Sequence, residues 1–183
     1  MLDDRPQQQA SALLALQGHV VRSWHGLEMA VRGDGTHFEF GGPDVPCLQL
    51  LTLRMTLDTG STLAVTTYQD NDAFGLAHGA SGNAPPEEPG TGYRSRPLPE
   101  LPTGQIEDVA VHLDGDLVAE VTLRVEGQDL LLIAGEADED QSGRLVWHRL
   151  DESVLVFPQP NDAGTMSWTP TRTPIGFVTR KRP

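Results

Sequence analysis

The chain has 183 residues, the size of one ordinary domain, and carries a formal net charge of −13. Acidity of that order repels nucleic acid and anionic membrane and favours a basic protein partner. The single cysteine, Cys47, excludes an internal disulfide and a cysteine-based metal cluster, and reads as a small buried hydrophobe.

The start, MLDDRPQQQA, is acidic and polar, with no basic segment leading into an apolar run. No stretch approaches the roughly 18 apolar residues of a membrane span. The expectation is a cytoplasmic chain. Gln7–Leu16 is the best helix candidate, with Ala10, Leu13, Leu14 and Leu16 on one stripe and Gly18 as its stop. Such a short helix needs docking to be stable.

From His19 onward the hydrophobic period becomes two. His19–Trp24 reads as a strand. Leu27, Met29 and Val31 alternate with Glu28, Ala30 and Arg32, and Gly33-Asp34-Gly35 turns the chain back into His37–Phe40, with Phe38 and Phe40 on one face. Leu51, Leu53, Met55 and Leu57 alternate with polar neighbours, and Asp58-Thr59-Gly60 leads into Thr62–Tyr68. Residues 79–104 are rich in Gly and Pro, fit no packed element and read as a long loop. Tyr93, Arg94 and Arg96 in its middle either pin it to the body or present a contact surface.

Strands resume at Ile106–Leu113 and Leu117–Glu126. Asp129–Ala134 reads as fully buried, and Arg144–Leu150 with Ser153–Phe157 as a pair around Asp151-Glu152. The tail 158–183 reads as loop-like, anchored by Trp168, with a last edge strand at Ile175–Val178. Leu50–Gly75 and Ala119–Gly143 share one pattern: alternating strand, polar turn, apolar strand, acidic loop ending in glycine. The predicted fold is a single, mainly β domain. It is an antiparallel sandwich or partly open barrel of about ten short strands, with one short N-terminal helix.

Two motifs carry candidate chemistry. Asp58-Thr59-Gly60-Ser61 after an apolar strand resembles the catalytic loop of aspartic proteases. That chemistry needs two carboxylates sharing a proton. The sequence holds no second such loop, so Asp58 would act only in a homodimer; Asp-Thr-Gly between two alternating strands reads first as a hairpin turn, with the protease as the alternative. Asp138-Glu139-Asp140-Gln141-Ser142-Gly143 begins like an EF-hand loop, but the expected twelfth-position Glu falls on Arg149. The six histidines have no metal-ligand spacing. No cofactor is expected.

Residues 105–157 hold thirteen acids against three bases, the densest negative charge in the chain. Asp70, Asp72, Glu136, Asp138, Glu139 and Asp140 are therefore the candidate partner-binding residues, placed on hairpin tips. Trp147 is added as an aromatic anchor, because aromatics dominate interfaces when desolvated. Aromatics make up only 5% of the chain, so Trp147 is also wanted by the core.

The segments LPELPTGQI (Leu98–Ile106), LLLIAGEADED (Leu130–Asp140) and DESVLVF (Asp151–Phe157) resemble small β-rich bacterial proteins found with secreted or contact-delivered toxins, many of them immunity proteins. The resemblance implies a non-enzymatic neutraliser that occludes a cognate toxin, as a monomer or homodimer. A structural or accessory protein of a secretion or phage assembly, docking through the 79–104 loop, is the further alternative.

Overall fold

A computed structural model describes residues 5–37, 39–41, 45–80, 92–172 and 177–179. The period-two segments become strands: β1 (Val20–Met29), β2 (Leu48–Leu57), β3 (Thr62–Asp70), β4 (Ala73–Ala80), β5 (Tyr93–Pro97), β6 (Gly104–Asp114), β7 (Leu117–Val125), β8 (Gln128–Glu139), β9 (Leu145–Phe157), β10 (Trp168–Thr169) and β11 (Phe177–Thr179). Two helices join them, α1 (Arg5–Leu14) and the short α2 (Pro160–Ala163). All eleven strands belong to one mixed sheet, antiparallel except where β10 runs parallel to β9. The mainly β reading, the short N-terminal helix and the two hairpins of the repeated pattern are all realised.

The path β9-β8-β7-β6-β1-β2 bends round until β2 pairs with β9 again, through Leu48–Val156, Gln49–Leu155 and Leu50–Val154. On the other side β1 meets β6 only at Val20–Gln105 and Val21–Gly104. Both seams are short, so the sheet is a partly open barrel. The β3–β4 hairpin extends from β2, and Val65 and Leu76 join the main core together with Ala10, Leu13 and Leu16 of the helical segment. Gly18 takes φ +92° and donates its N–H to Ile106 O at 2.8 Å, ending the helical segment as expected.

Strand β8 is buried on both faces. Leu130, Leu132 and Ala134 enter the main core. Leu131, Ile133 and Ala137 enter a second cluster with Cys47, Leu155, Phe157 and Trp168, covered by the tail. The tail is thus more than a loop: it contains α2 and β10, and Trp168 donates from Nε1 to Ala163 O at 2.8 Å. Arg172 forks onto buried Glu120 of β7 at 2.9 and 2.8 Å. Strand β11 pairs with β6, as expected of a last edge strand; Ile175 and Gly176 lie outside the described residues.

Four expectations need correction. First, the Gly/Pro-rich 79–104 segment is not all loop: Tyr93–Pro97 forms β5 against β1, and Leu98 and Leu101 are in the main core. Arg94 and Arg96 pin it, both gripping Glu28, which is buried. Second, the described residues of the expected 37–40 strand, His37, Glu39 and Phe40, belong to no strand. The end of β1 already has β2 on one side and β5 on the other, so no edge is left to join. Phe38 lies outside the described residues, while Phe40 packs half-buried against the main core.

Third, Leu51 is only half-buried and Leu50 is fully buried. A bulge between Leu27 and Glu28 skips Leu51 and reverses the inward phase of β2 at that point. Gly26 sits beside it, where a Cβ would lie 2.9 Å from both Leu50 and Leu98. Fourth, Asp151-Glu152 is not a hairpin turn. Both halves of β9 pair with the same strand, and partners jump from Ala134–Val154 to Gly135–Arg149. Leu150 at φ +62° opens a bulge over residues 150–153, in which Glu152 is exposed and Ser153 is buried, and the strand resumes in line.

Candidate functional site

The aspartic-type motif is a hairpin turn. Leu57 N–H donates to Ser61 O at 2.9 Å, Gly60 N–H donates to Leu57 O at 3.0 Å, and Gly60 takes φ +82°. Glycine is the residue that adopts this backbone without strain. Asp58 is exposed at the turn.

The calcium-like loop is also a turn held by its own atoms. Asp140 Oδ1 accepts from Ser142 N at 2.8 Å, Ser142 Oγ at 2.6 Å and Arg144 N at 3.1 Å. These bonds, that from the Ser142 hydroxyl foremost, hold the Asp140 carboxyl well below the ordinary carboxylate range. Arg144 Nη2 adds an ion pair to Asp140 Oδ2 at 3.1 Å. Among the described residues no cluster of three or more His, Cys, Asp or Glu has the arrangement of a metal site.

The six predicted acids therefore divide. Asp140 faces its own turn and Arg144, and Glu139 lies 3.9 Å from Arg32, so the tip itself is partly neutralised. Glu136 and Asp138 have the parity of Leu130, Leu132 and Ala134 and continue that face past the edge of the core. Asp138 approaches His148 Nε2 at 3.8 Å. Glu136 is half-buried, and its carboxyl is pushed up to about 7, by burial first and then by repulsion from Asp138, Asp151 and Glu152.

Asp70 and Asp72 sit at the β3–β4 turn, where Asn71 takes φ +52°. Two contacts hold this hairpin at the same end as the β9 bulge. Thr67 Oγ1 donates to Glu152 O at 2.5 Å, and Tyr68 Oη donates to Asp116 O at 3.4 Å. A Cβ at Gly75 would lie 2.9 Å from the Tyr68 ring, so only glycine lets that ring lie across β4. Sequence reasoning missed Asp116, Asp151 and Glu152, which join Glu136 and Asp138 at this end. Asp151 and Glu152 were legible as adjacent acids but were assigned to a simple turn.

Beneath the acidic end lies a buried basic group. Arg149 is 3% exposed, pairs through Nη1 with Asp114 and lies 3.5 Å from Glu120 through Nε. Glu120 also holds Arg172, so the end is braced from below by two arginines and two acids.

Trp147 is not a surface anchor. It is 7% exposed, with ring centroids 5.9 Å from Trp168 and 6.4 Å from Phe157. Strand parity turns it into the second cluster, where large rings fill the space under the tail. Cys47 is buried as expected, and burial drives its thiol far above the ordinary range. Among the described residues no helix is long and apolar enough to cross a membrane. No family model, curated protein or solved structure matches this chain.

Proposed function

We propose that this chain is a non-catalytic binding protein that occludes a basic protein partner with its acidic end, in the manner of an immunity protein against a toxin. The observation that carries the reading is the crowding of Glu136, Asp138, Asp151 and Glu152; burial first, and then repulsion from the other three, pushes the Glu136 carboxyl up to about 7. Carboxylates gathered this closely at one end of the sheet make a strongly negative local potential. A basic partner relieves that repulsion and expels the Glu136 proton. Nuclease toxins suit such a surface, because an enzyme acting on an anionic polymer is itself basic. Complementary charge of this kind acts mostly on association rate and register.

The test is capture of the partner from the source organism, followed by association kinetics. The expected partner is basic, and its on-rate falls about tenfold or more in high salt and in the Asp138→Asn/Asp151→Asn/Glu152→Gln variant. Affinity also rises from pH 6 to pH 8 as Glu136 loses its proton, and Glu136→Gln flattens that rise. An on-rate indifferent to salt and to the triple variant would overturn the proposal, as would an acidic partner.

A further inference from the structure

Strand β4 is the last on the path of the sheet, and among the described residues it pairs only with β3. Such an edge offers free backbone groups to a foreign strand unless something covers them. Here α1 lies against it. The His78 N–H donates to Gln9 Oε1 of α1 at 2.9 Å rather than to β3. Beside this bond, Ala10 and Leu13 of α1 enter the main core together with Val65 and Leu76.

The same residue carries a second feature. The His78 side chain has the parity of the fully buried Leu76, so it is turned inward. Its ring Nε2 is buried and has no hydrogen-bond partner. Burial alone holds the ring below the ordinary histidine value, because an imidazolium there would lose water and gain nothing in return. The surroundings agree with this. Helix α1 carries one charged residue, Arg5, and it is a cation. Strand β3 places Val65 opposite His78, and the residues that β6 and β7 send into the main core are aliphatic. Asp70 and Asp72 lie at the far turn of the β3–β4 hairpin. Asp151 and Glu152 approach that hairpin at Thr67, two ladder positions from His78, and take no part in its titration.

We propose that His78 is a proton-operated catch on α1: a proton taken up by its ring undocks the helix and uncovers the edge of β4 with the apolar faces of Val65 and Leu76. The catch does not depend on the partner proposed for the acidic end. Its direction follows from linkage. The undocked ring takes its proton at the ordinary value of 6.5, and the docked ring only at lower pH. Docking is therefore at full strength above about pH 6.5 and weakens as pH falls from there toward the docked value. Between pH 7 and pH 5 the undocked state gains up to about 25-fold. Glu136 acts in the opposite sense, since its proton is held by the folded chain.

The test is hydrogen exchange of the full chain at pH 7, 6 and 5, read by mass spectrometry as protection factors, which removes the intrinsic effect of pH on exchange. We expect residues 6–14 to lose protection by about 5- to 25-fold toward pH 5. Residues 130–134 of β8, which report unfolding of the whole sheet, keep theirs. His78→Gln and His78→Phe abolish the pH response of residues 6–14; the first keeps a polar end in the site and the second keeps a ring. His19→Gln/His25→Gln, at exposed positions, leaves the response in place. Nuclear magnetic resonance of the wild-type chain gives a His78 midpoint below 6.5, a readout that needs no variant to fold. Protection of residues 6–14 that does not change with pH would overturn the inference. So would a response that persists in a folded His78 variant, a loss shared equally by β8, or a His78 midpoint at or above 6.5.

Discussion

Glu28→Gln is the perturbation with the largest expected effect for the smallest change in shape. The Glu28 side chain is 7% exposed and accepts from Arg94 Nε at 2.6 Å and from Arg96 Nε at 2.9 Å, with Arg96 Nη2 at 2.8 Å. The Glu28 bond foremost raises the Arg94 guanidinium above its ordinary value. Hydrogen bonds to charged groups contribute about 1.5–3 kcal/mol each. Glutamine keeps one acceptor and turns an N–H₂ toward a guanidinium. Arg94 and Arg96 are 37% and 26% exposed and regain water, so the loss is well below the sum of three contacts. We expect about 3 kcal/mol, or a fall in Tm of roughly 6–12 °C for a chain of this size. Urea unfolding followed by tryptophan fluorescence measures it. Glu107→Gln is the control: it removes an exposed carboxylate 3.3 Å from Arg124, whose loss costs less than about 0.5 kcal/mol. A loss below about 1 kcal/mol for Glu28→Gln, or one equal to the control, would refute the claim that this acid fixes the 92–101 segment to β1.

Two further outcomes follow from the same structure. Glu136 has a folded-state pKa near 7, above its unfolded value, so the folded chain holds an extra proton between about 4.5 and 7 and stability falls as pH rises through that window. Water reaches Glu136, so the fall attributable to it is on the order of 1–2 kcal/mol, read as the difference between wild type and Glu136→Gln in urea melts across pH. Gly135→Ala places a Cβ 2.5 Å from His148 O, a backbone atom that moves only with β9. A loss of about 1–3 kcal/mol in thermal unfolding is expected, and an unchanged melt would mean the bulge is softer than its geometry implies.

Much of the architecture was legible because period-two patterning survives wherever a strand has one core face. Strands β6 and β7 were read almost to their ends, and Asp58-Thr59-Gly60 behaves as the turn its residues favour. What escaped depended on distant parts of the chain. Tyr93–Pro97 was hidden by the Gly and Pro around it; its pairing depends on Glu28, more than sixty residues earlier. The phase of Leu50 and Leu51 follows from a bulge at Leu51 that shows only in the pairing of β2 with β1, which no local window contains.

At the site, counting charge found the right regions but not which acids are free to act. The Asp140-x-Ser142 spacing is itself a signal for a side chain that bonds its own backbone, and it would have set Asp140 aside. Trp147 could have been assigned to the core by parity: Leu131, Ile133 and Ala137 across the ladder face the same way. The clustering of Glu136 with Asp151 and Glu152 was not readable, because it needs the out-of-line loop that Leu150 creates.

Strand β9 takes hydrogen bonds from β8, β2 and β10, and β2 reaches it across about a hundred residues of chain. During synthesis from the N-terminus, Leu48–Leu50 of β2 emerges long before Val154–Val156 exists to cover it. That apolar edge waits uncovered on the ribosome, the situation in which a nascent strand recruits the wrong neighbour. Truncation before Leu145 therefore removes more than one strand's contacts. It leaves β2 and β8 each with an open flank, and the shortened chain is expected to aggregate rather than to fold as a smaller version of itself.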